Sequence, residues 1–246
     1  MEQDFLILCL AIFSAAALQS ATGIGFGVIA GPVLLVVLND NSAIQVSIIL
    51  NLLIALSLAP SLRQKADRQL LRPLIGGVLI GSPLGLIIYL LLDIGMLKAF
   101  AAVVVLFTLV GVIRGRRRGS EPRTAGSGRF QQISIGTIAG IMGGSLAMPG
   151  PVPAAWMSAR GYRKDTVRAT ILLMFVFAYT IALLLQFSLA GINGNTIWIC
   201  ITYSPATIAG IVFGGFLSKR ISERVFRRLL IVVLAATVVV LLATTW

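Results

Sequence analysis

Two apolar segments of this chain are interrupted in the same way. Gly23-Ile24-Gly25-Phe26-Gly27-Val28-Ile29-Ala30-Gly31-Pro32 and Gly140-Ile141-Met142-Gly143-Gly144-Ser145-Leu146-Ala147-Met148-Pro149 are Gly-rich breaks ended by Pro, each set inside an apolar run. In lipid such broken backbone must be buried in protein or line an aqueous cavity, because hydrocarbon offers no partner to a free N–H or C=O. A duplicated break in a membrane chain therefore points to a transport site.

Composition makes this a membrane chain: 58% of residues are hydrophobic and 11% charged, and the mean hydropathy is +0.99. Its apolar runs approach the roughly 20 residues that cross a bilayer as helix. The net charge of +12 does not indicate nucleic acid, since the basic residues flank apolar spans with few aromatics among them. Cys9 and Cys200 lie inside apolar segments without metal-type spacing, and are expected to be inert. The start, Met1-Glu2-Gln3-Asp4, lacks the basic region of a cleaved signal peptide; the first apolar segment should stay in the mature protein.

Apolar segments fall at about 5–38, 42–60, 70–92, 97–113, 131–158, 166–189, 195–217 and 225–246. Only the stretch between the fourth and fifth is too polar and Gly-rich to pack. The chain therefore divides into a first repeat over 1–113, a basic linker over 114–130 and a second repeat over 131–246.

Basic residues set the topology. They cluster as Arg63, Lys65, Arg68 and Arg72, as the six arginines of the linker, as Arg160, Arg163, Lys164 and Arg168, and as Lys219, Arg220, Arg224, Arg227 and Arg228; only Lys98 lies elsewhere. If every segment crossed, the linker and the cluster after segment 5 would face opposite sides, against the positive-inside tendency. Segment 5 is therefore expected to be a re-entrant hairpin open to the cytoplasm. Its tip is expected near Gly143 and Gly144, with arms of about ten residues, or about 15 Å. For segment 1 charge alone permits a crossing or a hairpin, while its 34 residues, some 50 Å as one helix, favour a bend.

A repeat argues the same way. Placing Pro32 on Pro149 sets Gly23 on Gly140 and Gly27 on Gly144. Ser47-Ile48-Ile49 then meets Thr170-Ile171-Leu172 after a small shift, Gly81 to Gly85 corresponds to Gly210 to Gly214, and Asp93 to Leu97 matches Ser222 to Phe226. One hairpin plus three crossings per half is an odd number, so the halves would be inverted and their tips would meet near the midplane. The expected fold is an all-α polytopic membrane protein of two inverted-topology repeats.

Glycine at such tips tolerates positive φ and lets a ligand reach backbone N–H groups. The returning half-helix presents its positive N-terminal end inward, so an anion site forms without a charged side chain. Pro32 and Pro149 suit the first turn of that helix, where a missing N–H costs nothing. The alternative is close helix packing, which is the favoured reading for Gly81/Gly85 and Gly210/Gly214; for the Gly-Pro breaks the site is favoured. The candidate substrate-binding residues are Ser20, Thr22, Gly23, Gly25, Phe26, Gly27, Asn51, Gly140, Gly143, Gly144, Ser145, Thr170 and Tyr203, with Arg160 and Arg168 at the entrance. Gln19, Ser47 and Tyr179 are further polar groups able to dress a cavity or to act as helix glue. The chain has no His, and Asp40, Asp67, Asp93, Asp165 and Glu223 lie near segment ends. No catalytic residue, metal or cofactor is assigned, and an enzyme is disfavoured.

A Gly-rich break plus Pro at the start of each half, a Ser or Thr early in the following span, then Gly-xxx-Gly resembles the TauE/SafE family of bacterial sulfite and organosulfonate exporters over essentially the whole chain. Phe26 and Met142 replace glycines of the family's Gly-Gly-Gly-like runs. The resemblance implies a multi-pass protein of the bacterial inner membrane, with its basic loops cytoplasmic. It would export small anions such as sulfite or sulfoacetate. An uncoupled anion channel or a lipid-handling protein is the alternative. Expected partners are the anion and the bilayer, with no nucleic acid; small-residue faces permit a homodimer.

Overall fold

Runs of Leu, Ile, Val and Ala form helices in lipid because each backbone group must then find its partner within its own segment. The structure, a computed structural model, describes residues 2–114 and 128–217, together with 231–232, 235, 237–241 and 243. Within 2–217 the described helices are α1 (Glu2–Thr22), α2 (Phe26–Leu38), α3 (Ser42–Leu62), α4 (Arg68–Leu91), α5 (Ile94–Arg114), α6 (Arg129–Leu146), α7 (Pro151–Ala159), α8 (Lys164–Leu189) and α9 (Gly194–Leu217). They follow the first seven apolar segments, with segments 1 and 5 each split in two. Most of the central linker, the basic cluster from Lys219 to Arg228, the Ser222–Phe226 landmark and much of segment 8 lie outside the described residues.

Six of these helices, α1, α3, α4, α5, α8 and α9, are long and apolar enough to cross a bilayer. Their outer faces are apolar at helical spacing: Ile80, Leu84, Ile87 and Leu91 are exposed along α4, and Ile201, Ile208 and Val212 along α9. The protein is a multi-pass membrane protein.

Helix packing exchanges the two halves. α4 packs on α6 while α1 packs on α9, and α3 contacts both α8 and α9 while α8 contacts both α3 and α4. The α4–α6 seam is made by glycines four residues apart. A Cβ at Gly81 would lie 2.0 Å from the Thr137 carbonyl oxygen, and one at Gly136 would lie 2.2 Å from that of Leu74. Gly77 meets Ile133 and Thr137, Gly81 meets Thr137 and Ile141, and Gly85 meets Ile141 and Gly144, so the two helices run parallel. On α9, Gly210 and Gly214 press in the same way on the Phe13 and Ala17 carbonyls, at 2.5 and 2.2 Å. Close packing is thus the role of Gly81/Gly85 and Gly210/Gly214.

Polar contacts sort the connections into two ends. At one, an Arg160 Nη donates to Gln131 Oε1 at 2.7 Å, which brings the end of α7 back beside the start of α6. Lys65 Nζ lies 3.7 Å from Asp165 Oδ2, and the Asp67 N–H donates to Thr170 Oγ1 at 3.0 Å. This is the basic end. At the other, Gln45 Nε2 donates to the Gly191 carbonyl at 2.8 Å, joining the first turn of α3 to the α8–α9 connection. Lys98, the only charged residue buried among the described ones, donates there to Asn39 Oδ1 at 2.7 Å.

The helix pairs in segments 1 and 5 are unequal. In segment 5, where arms of about ten residues are expected, α7 has 9 but α6 has 18; in segment 1, α1 and α2 have 21 and 13. α6 stays helical through Gly136, Gly140 and Gly144 because those glycines lie against α4 backbone, where a side chain would not fit.

Candidate functional site

Each break starts where a helix ends in left-handed backbone. α1 closes with the Gly23 N–H donating to the Gln19 carbonyl at 2.7 Å, Gly23 having φ +88°. Thr22 Oγ1 accepts from the Ile24 N–H at 3.2 Å and lies within reach of the Leu18 and Ile24 carbonyls, at 2.8 and 2.6 Å. α6 closes at Ala147, φ +58°, with the Ala147 N–H donating to the Gly143 carbonyl and the Met148 N–H to that of Met142, both at 3.1 Å. The first is the 5→1 bond of an αL cap, here without the usual glycine.

Past each break a helix begins with its amide end inward. At α2, Gly25 (φ +152°) has no side chain to cap the helix, and the first ladder bond runs from the Ile29 N–H to the Gly25 carbonyl at 3.0 Å. Gln19 Oε1 takes the Phe26 N–H at 3.0 Å; Gly27 and Val28 come next. At α7, Pro151 and Pro153 carry no N–H, so Val152 is the sole amide donor ahead of Ala154, whose N–H bonds the Gly150 carbonyl at 3.1 Å. The amide-rich end is that of α2.

The two breaks touch. A Cβ at Gly27 would lie 2.2 Å from the Ala147 carbonyl oxygen, and one at Gly150 would lie 3.2 Å from Ile24 Cγ2 and 2.8 Å from Phe175 Cζ. Between them is a cavity of about 10 Å³ lined by Gln19, Gly25, Gly27 and Val28 from one half and by Met148, Gly150, Phe175 and Tyr179 from the other. That is room for about one water molecule. Tyr179 Oη donates to the Ala147 carbonyl at 3.1 Å, and Gln186 Nε2 to that of Gly144 at 3.0 Å. Gln19 is 1% exposed; with its oxygen held by Phe26, its Nε2 is left buried without a partner. An unpaired buried amide costs about 1–3 kcal/mol, so this group marks a place where an acceptor is wanted.

The structure brings Gly25 and Gly27 to this cavity, with Phe26 fully buried between them and Thr22 and Gly23 shaping the turn before it. Arg168 lies over Gly23 and donates to the Ser20 carbonyl. Other candidates fall elsewhere. Gly140 and Gly144 face α4, where a Cβ would lie 2.7 Å from the Val78 and 2.8 Å from the Ser82 carbonyl oxygen, so they are packing residues. Gly143 faces Pro149, and Ser145 Oγ donates to the Ile141 carbonyl at 2.7 Å. The break between α6 and α7 is therefore Ala147–Gly150, and Gly143 and Gly144 are helical. Pro149 lies in the break and Pro32 is the seventh residue of α2; Pro151 holds the first-turn position expected of them. Gly23 and Ala147 share positive φ at the two breaks, whereas Gly140 lies within α6.

Ser20 Oγ donates to the Ile211 carbonyl at 2.8 Å, holding α1 to α9. Thr170 accepts from Asp67 and braces the α3–α4 connection. Asn51 Nδ2 donates to the Ser47 carbonyl at 2.9 Å, its Oδ1 buried without a partner. Tyr203 packs on Phe5 with ring centroids 5.6 Å apart, remote from the breaks along α1. Arg160 is held by Gln131 and lies 5.2 Å from the Trp156 ring centroid, at the outer end of α7. Gln186, Phe175 and Met148 were not anticipated; Gln186 meets Gly144 from 42 residues away, and no local pattern signals that.

A family model described as Sulfite exporter TauE/SafE matches residues 8–241. No curated protein and no solved structure matches the chain.

Proposed function

The chain belongs to the sulfite exporter TauE/SafE family, a transporter family, along nearly its whole length, and on that premise we propose that it carries a small sulfur oxyanion, sulfite or an organosulfonate, between its two breaks. The observation that carries this reading is Gln19, whose buried Nε2 has no partner and whose side chain lines the cavity beside the amide end of α2. Amide donors and the positive end of a helix dipole together hold an anion without a fixed cation. No carboxylate lines that cavity to repel one.

Two re-entrant hairpins of opposite sense explain the geometry around it. The return of Arg160 to Gln131 supports a hairpin, α6–α7, open at the basic end. The parallel course of α1 with α9, and the bond from Gln45 to Gly191, support a second, α1–α2, open at the other end. By the positive-inside tendency the basic end is cytoplasmic. Moving one negative charge outward then gains about 2.3 kcal/mol per 100 mV of inside-negative potential.

The cavity takes about one water, so a sulfur oxyanion enters only as the breaks part. This closed state supports a carrier over an open channel. Purified protein in liposomes should give saturable sulfite flux, competed by sulfoacetate and accelerated by a potential negative on the loaded side. Ohmic conductance without saturation would refute the carrier.

A further inference from the structure

We infer that Arg168 is a docking site for the oxyanion on its way from the basic end, a step that rests on the central site proposed above. Arg168 stands one turn into α8, and its stem crosses the first break: a Cβ at Gly23 would lie 2.8 Å from Arg168 Cγ and 3.0 Å from its Cα. The guanidinium donates to the Ser20 carbonyl in the last turn of α1. Its Nε is buried with no partner. The nearest carboxylate along α8, that of Asp165, lies 3.7 Å from Lys65 Nζ.

A cap on the end of α1 does not require this charge, and the molecule supplies its own comparison. The matching end of α6 is capped by neutral groups, Tyr179 on the Ala147 carbonyl and Gln186 on that of Gly144. Among the described residues only the break that faces the basic end carries a cation, and that cation uses few of its five donors. A guanidinium edge whose Nε has no partner and whose neighbouring Nη is held only by the Ser20 carbonyl fits two oxygens of a sulfite or sulfonate group side by side once that carbonyl lets go. Taking that edge draws Arg168 off Ser20. The freed carbonyl lies next to Gln19, the donor of the central site, so docking loosens the turn that must part for the anion to pass.

Sulfite flux from each face of oriented proteoliposomes tests this with Arg168→Gln, Arg168→Lys and Gln19→Leu. Arg168→Gln should raise the half-saturating sulfite concentration at the basic face about tenfold, the worth of a charge-assisted hydrogen bond, and shift the other face less than about twofold. Arg168→Lys keeps the charge and the cap but loses the paired edge, and should shift the basic face alone by about threefold. This variant carries the test if the glutamine protein fails to fold. Equal shifts at both faces, or a lower maximal flux with half-saturation unmoved, would reduce Arg168 to a helix cap and overturn the inference. Normal flux in Gln19→Leu would instead remove the central site, so the two failures are distinguishable.

Discussion

Adding one methyl group at Gly27 tests whether the two breaks function as a unit. The Cβ of Gly27→Ala would lie 2.2 Å from the Ala147 carbonyl oxygen, and the nearest atoms are backbone, so no rotamer relieves the clash. The breaks must separate by about 1.2 Å to restore the 3.4 Å of ordinary contact. Both sides are buried, and the Ala147 carbonyl also accepts from Tyr179 at 3.1 Å, a bond the separation strains. Overpacking of a tight interior costs about 1–3 kcal/mol. At about 2–4 °C per kcal/mol for a chain of this size, the thermal midpoint should fall by roughly 2–12 °C. The assay is thermal unfolding of purified protein beside sulfite flux, with Gly76→Ala as control. Gly76 is also helical but has nothing within 4 Å of its added Cβ, so that variant should be neutral or slightly stabilised through helix propensity. A Gly27→Ala protein that melts and transports like the parent would refute the contact between the breaks.

The seam between α4 and α6 should be as intolerant: Gly81→Ala, with its Cβ 2.0 Å from the Thr137 carbonyl oxygen, should lower the thermal midpoint at least as far as Gly27→Ala without shifting half-saturation in whatever protein survives. Ser20→Ala removes the bond to Ile211, and should cost about 1 kcal/mol of stability and leave sulfite affinity unchanged, as read by melting and flux. Single cysteines in a Cys9→Ser, Cys200→Ser background should report the topology. Arg129→Cys and Arg160→Cys should react with an impermeant maleimide from one face and Asp40→Cys from the other; labelling of Arg129→Cys and Arg160→Cys from opposite faces would remove the re-entrant hairpin.

The helices were legible because lipid forces one solution on each apolar run, so the ends of α3, α4, α8 and α9 follow the hydropathy closely. The breaks were legible as a pair, and the second was misplaced for a physical reason. Gly136, Gly140 and Gly144 stand four apart on one face of α6 and let it close on α4; in sequence, that stripe reads the same as a loosened loop. The true turn uses Ala147 in left-handed backbone, which no glycine announces. Pro32 looked like a first-turn residue, but Gly25 already starts α2, and the proline follows in the helix. Gln19 was visible only as a polar group in an apolar run. Its role appears once the chain reverses and Phe26, seven residues on, takes its oxygen and leaves the nitrogen without a partner in a side chain that lines the cavity. Arg160 and Arg168 read alike as members of a basic cluster, and packing separates them, the first tied to Gln131 and the second laid across Gly23.

The central claim is that an oxyanion is held by the Gln19 amide and the amide end of α2. Calorimetric titration of purified protein with sulfoacetate measures this directly, comparing the parent with Gln19→Leu. The account predicts saturable binding by the parent and affinity weakened about tenfold or more in the variant, with far-ultraviolet circular dichroism unchanged. Equal affinity in a folded Gln19→Leu protein would contradict it.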